Sequence, residues 1–226
     1  MSGLSNWFSG INLDRIVEWL LAGVVSLISI SVHESSHALS ALWLGDDTGK
    51  RSGRISLNPL RHIDPVGLVM MIVARFGWAK PVMVDSRRFK NPKVGMALTA
   101  AAGPVSNMLL AVLGLIVYYV LSYTGKLYDV GAWYYFSLFI YLFVMINAGL
   151  AVFNLIPIPP LDGSKVLAIL LPDEAHAWLM RYERYGSILL IVLLATGVLS
   201  SVLVTLRDGL IDVLSYPIVS LLQLIF

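Results

Sequence analysis

Long apolar runs separated by short polar stretches dominate the chain. Val94–Gly125, Val130–Leu161 and Tyr185–Leu206 contain no charged residue. Each exceeds the roughly 20 residues that a helix needs to cross a bilayer. Residues 13–44 make a fourth long apolar run, interrupted near its end by a polar cluster. Val213–Phe226 is a shorter apolar tail, fit for a short final span or an interfacial helix. Between the first two runs the pattern changes. G-R-I-S-L-N-P at 53–59 and K-P-V-M-V-D at 80–85 alternate as short strands do. The apolar stretch 65–79 between them is short and holds Arg75.

This pattern predicts an all-α polytopic membrane protein. It has about five to six transmembrane or re-entrant helical segments and a small membrane-associated β element. The expected helices are 13–44, 93–122, 132–156 and 186–206. The chain reads as a single membrane domain over 1–226, with a core at about 13–171 and C-terminal helices at about 186–226. Composition agrees. Of the 226 residues, 58% are hydrophobic and 13% charged, whereas soluble domains carry about 25% charged residues. No basic leader with a cleavage site is expected at the start.

Charge distribution predicts topology. Lys50, Arg51, Arg54 and Arg61 precede the stretch 65–79, and Lys80, Arg87, Arg88, Lys90 and Lys93 follow it. Basic short loops face the cytoplasm, so both flanks fit one side only if 65–79 dips in and returns. The N-terminus is then outside, and the polar cluster in the first helix lies toward the cytoplasmic side. A net charge of +2 gives no sign of a nucleic-acid partner.

The polar cluster is H-E-S-S-H at 33–37. Ionisable groups in an apolar helix cost about 2.5–3.5 kcal/mol each and are functional by default. His33 and His37 are one helical turn apart on one face and can hold one ion. Glu34, about 100° round the helix, can take a proton from water activated by that ion. There is no cysteine, so a third ligand must be His62, His176 or a carboxylate. Asp162 is one such carboxylate, following the proline-broken run N-L-I-P-I-P-P-L at 154–161. Its alternative role is to cap the next helix. Asn107 and Asn154 also lie in apolar surroundings. Either can hold a substrate carbonyl or oxyanion, or bond to another helix.

H-E-S-S-H at 33–37, G-P-V-S-N at 103–107 and N-L-I-P-I-P-P-L-D-G at 154–163, in this order, resemble the site-2 proteases. These are zinc intramembrane metalloproteases, and the likeness is to small prokaryotic members without PDZ or CBS domains. The resemblance implies one zinc per chain, held by His33, His37 and Asp162, with Glu34 as catalytic base. It implies that Asn107 and Asn154 face the active-site region and contact substrate. The expected substrates are transmembrane proteins or peptides, cut within or beside their membrane segments in the prokaryotic cell membrane. Two serines in the middle of the zinc motif depart from the family, which usually has a bulkier residue there. Two rival readings are a membrane metal transporter and a catalytically silent binder of membrane segments. The first lacks repeat symmetry, and the second leaves Glu34 without a role.

Overall fold

The computed structural model describes residues 13–67, 79–172, 174–175 and 181–226. Helix α1 spans Leu13–Trp43 and is followed by the short α2, Thr48–Arg51. Helix α3 is Pro92–Tyr123, and α4 is Ala132–Leu155. The short α5, Asp162–Ala168, precedes α6, Glu183–Ala195, and α7, Val198–Leu222. Among the described residues, α1, α3 and α4 are each long and apolar enough to cross a membrane. The pair α6 and α7 adds a fourth crossing if taken as one broken span.

Local chemistry explains the boundaries. The Asn91 side chain accepts the Val94 N–H at 3.2 Å, and Pro92 sits where no helical N–H is needed. Helix α4 stops at Leu155 because Ile156 precedes Pro157 and takes an extended conformation (φ −62°, ψ 131°). The proline loop turns the chain back beneath α4. Gly163 passes so near the Leu155 and Ile156 carbonyls that a Cβ would collide with them. The turn carries Asp162 to the first position of α5.

Packing is thin and small-residue in character, as in membrane bundles. Ala38, Ala41, Ala100, Ala111, Ala148 and Ala151 are buried, while many large apolar side chains are exposed. Helix α3 packs against α1, α4 and α5. At the end that holds the proline loop, Leu161, Leu190 and Leu199 form a core cluster.

The structure corrects two expectations. No strand forms at 53–58 or 80–85 among the described residues. One isolated antiparallel bridge, Ile63 with Ala79, is the strand-like pairing near these regions among the described residues. Pro59 and Pro81 lack an N–H, and turns anchored by side chains absorb the backbone groups of 53–58. The helix expected at 186–206 is also not continuous. It breaks at Thr196–Gly197, where Gly197 takes a left-handed φ of 72°, and α6 and α7 meet at 86°. The long element is α7, which includes most of the tail expected to be separate. Its start lies in the Leu161 cluster, and beyond its other end Phe226 stacks on Tyr123 at 5.6 Å. It therefore runs the length of the bundle beside α3. Arg207, in its middle, is paired with Asp208 at 2.8 Å. The expected re-entrant stretch 65–79 falls mostly outside the described residues, as does His176.

Candidate metal centre

The site forms where α1, α3 and α5 meet. His33 and His37 lie one turn apart on α1, with ring centroids 4.6 Å apart and planes at 88°. Their Nε2 atoms are 3.0 Å apart, and each is 3.2 Å from Asp162 Oδ2. All three side chains are nearly buried. The other ring nitrogens are fixed from α3. His33 Nδ1 donates to Asn107 Oδ1 at 2.6 Å, and His37 Nδ1 donates to the Thr99 carbonyl at 2.7 Å. Each ring thus carries its proton on Nδ1 and turns the Nε2 lone pair inward.

Two lone pairs and a carboxylate oxygen facing one another repel unless a cation sits between them. Zinc bound tetrahedrally at about 2.0–2.1 Å has ligand atoms about 3.3 Å apart. The observed 3.0–3.2 Å triangle is close to that spacing. The nitrogen and oxygen donors and the Nδ1 partners therefore fit zinc. Gly103 makes the approach of α3 possible. A Cβ there would stand 2.5 Å from the His37 ring and 2.6 Å from His33 Cε1.

A cleft of about 350 Å³ opens onto the triad, and Glu34, Asn154 and Lys165 line it together with apolar side chains. Glu34 is half-buried and faces the same space as the triad. Asn154 donates one N–H to the Leu150 carbonyl at 3.0 Å and borders the cleft. Asn107 is placed differently. It is fully buried, and beyond His33 its amide donates to Asn147 Oδ1 at 2.9 Å and to the Ser29 carbonyl at 3.3 Å. Its hydrogen-bonding capacity is directed at α1 and α4 rather than at the cleft.

The structure brings Asp162, not His62, to the two histidines. His62 is buried elsewhere and donates from Nε2 to the Ser56 carbonyl at 2.7 Å. Asp64 caps a turn by accepting the Val66 and Gly67 N–H groups, both at 2.9 Å.

Three contributors were missed in the sequence. Asn147 was detectable as a polar residue inside the charge-free run 130–161, as Asn154 was. Gly103 opens the G-P-V-S-N motif, but its residue type alone does not show which rings its missing side chain lets α3 approach. Thr99 acts through its backbone carbonyl, which no residue type signals.

Residues 123–199 match Peptidase family M50. Over 184 residues the chain is 39% identical to the "Putative zinc metalloprotease YwhC" of Bacillus subtilis, covering 80% of this chain and 82% of that protein. It is 31% identical over 181 residues to the "Putative zinc metalloprotease Rip2" of Mycolicibacterium smegmatis, covering 77% of this chain and 66% of that one. No solved structure matches the chain. With a three-ligand centre that suits zinc and this degree of likeness along most of its length, the chain belongs to peptidase family M50, the site-2 proteases, and is a zinc metalloprotease.

Proposed function

We propose that the protein hydrolyses peptide bonds within or beside transmembrane segments of membrane proteins, with His33, His37 and Asp162 holding one zinc and Glu34 acting as base. The observation that carries this reading is the convergence of His33 Nε2 and His37 Nε2, both on a helix apolar enough to span a bilayer, with Asp162 Oδ2 from α5, while Glu34 lines the cleft that opens onto them. When bound, zinc supplies Lewis-acid polarisation of the scissile carbonyl and lowers the pKa of water at the site.

The protein's own groups do the rest. Glu34 takes a proton from the attacking water and later gives it to the leaving amine. Asn107 holds His33 in the tautomer that leaves Nε2 free. The free hydrogen-bonding capacity of Asn154, at the cleft wall, serves the substrate backbone or the developing oxyanion. The mostly apolar cleft admits a membrane peptide only in locally unwound form, because a helix hides its amides in its own hydrogen bonds. Helix-breaking residues in the substrate ease that unwinding.

The basic stretches 50–61 and 80–93 support a multi-pass protein of the prokaryotic cell membrane, with the N-terminus outside and the site toward the cytoplasmic side.

The test is zinc stoichiometry measured beside cleavage of a single-span substrate by the purified protein. Expected are one zinc per chain, Glu34→Gln retaining metal while losing cleavage, and Asp162→Ala losing metal. A folded preparation that takes up no zinc overturns the ligand assignment. Full metal with no cleavage of any membrane substrate overturns the reaction.

A further inference from the structure

Segment 79–85 forms one wall of the cleft, contributing Ala79, Pro81, Val82 and Val84. It is held at both ends. At its start the Lys80 N–H donates to the His62 carbonyl at 2.8 Å. The buried Arg54 guanidinium spans the Arg61 and Lys80 carbonyls at the same place. At its far end the Asp85 N–H donates to Asp46 Oδ2 at 2.8 Å, and Asp46 is fully buried.

The start of the wall is also tied to the metal helix. Ser35 lies between the two zinc-binding histidines. Its hydroxyl donates to the Ser56 carbonyl at 2.6 Å and accepts the Ser56 N–H at 3.2 Å. His62 Nε2 donates to the same Ser56 carbonyl at 2.7 Å. Because that acceptor is a carbonyl, the His62 proton sits on Nε2. Nδ1 is then left buried without a hydrogen-bond partner among the described residues. An orphaned ring nitrogen destabilises the fold. An apolar side chain would suit the position better if packing were its only demand, and such broken local rules concentrate where function asks for them.

We propose that Ser35 and His62 form a positioning pair that sets the distance between the metal helix and the cleft wall 79–84, and so fixes where the substrate backbone lies over Glu34. Neither residue touches the three metal-binding atoms. The ring of His62 links to the α1 side through Ser56, and its carbonyl links to the wall through Lys80. This gives the serine at position 35 a task that a bulkier apolar residue cannot perform. The proposal rests on the protease reading above.

The full-length protein in detergent tests it with Ser35→Ala, His62→Ala, His62→Gln and the double variant Ser35→Ala/His62→Ala. A glutamine amide can replace the Nε2 donor. Zinc content is expected to stay at the wild-type level. His62→Ala and Ser35→Ala raise KM for a single-span substrate about tenfold with little change in kcat, and His62→Gln recovers most of the loss. The double variant is no worse than His62→Ala, because the two side chains act through one carbonyl. Hydrogen exchange in peptide 79–85 quickens in both alanine variants and not in His62→Gln. This second readout needs no turnover, so it judges the pair even if the wild type cleaves nothing, an outcome that would overturn only the protease reading. Unchanged exchange in both alanine variants overturns the pair, as do additive losses confined to kcat. If His62→Ala does not fold, Ser35→Ala and His62→Gln still decide between these outcomes.

Discussion

At the scale of single residues, the centre depends as much on what surrounds the ligands as on the ligands. Gly103 is the sharpest case, because its missing side chain is what lets α3 reach the histidines. Gly103→Ala places a methyl group 2.5 Å from the His37 ring. The rings must move, and zinc bound per chain, measured by atomic absorption, is expected to fall well below one with cleavage reduced at least tenfold. Asn107 is the second case. Asn107→Ala leaves His33 Nδ1 buried without its 2.6 Å partner and frees the ring to take the wrong tautomer. Metal affinity in a chelator competition is expected to drop about 10–100-fold, the usual range for loss of a ligand's hydrogen-bond partner. Asn147→Leu removes only the next link and should cost less on the same assay.

At the scale of elements, the loops beside the membrane helices are organised by charge. Burial raises the pKa of the Asp46 carboxyl, but hydrogen bonds from Thr48 and from the Asp85 N–H, together with Arg88, outweigh it and hold the pKa below the ordinary carboxylate value. A depressed folded-state pKa stabilises at pH values above the unfolded one, and that stability is lost as pH falls through the folded value. The junction of α2 with segment 79–85 is therefore expected to be firm at neutral pH and to loosen below about pH 4. Hydrogen exchange in peptide 79–85 followed against pH checks this. Asp46→Asn should quicken exchange at pH 7 and flatten the acid response. The exposed pairs of Arg51 and Arg88 with Asp47 add little by comparison.

At the scale of the whole molecule, the three candidate ligands come from two elements far apart in sequence, α1 and α5, and α3 supplies the partners of both rings. Zinc held by these residues would therefore clamp three helices of a bundle whose buried contacts are mostly small side chains. Removal by a strong chelator is expected to abolish cleavage reversibly and to lower the thermal unfolding midpoint in detergent. Both effects should reverse on adding back zinc, since an ion that binds only the folded state stabilises it by mass action. Helical content measured by circular dichroism should change little, because each long helix satisfies its own backbone.

The sequence by itself determined the membrane class, the long helices α1, α3 and α4, and a set of candidate site residues. Apolar runs are read directly as spans, and polar residues inside them stand out because their burial is costly. His33, Glu34, His37 and Asp162 were all visible in that way. The third ligand could not be chosen among His62, His176 and a carboxylate on spacing alone, because the ligands meet only when the proline loop folds back under α4. The break at Gly197 was hidden inside a continuous apolar run. The strand-like alternation at 53–58 and 80–85 described side-chain character and not pairing, since Pro59, Pro81 and anchoring side chains redirect the backbone. The hydrogen-bond partners of Asn107 were likewise set by tertiary structure. Whether a buried amide meets substrate or a neighbouring helix depends on which groups the packed helices place within 3 Å of it, and residue type carries no record of that.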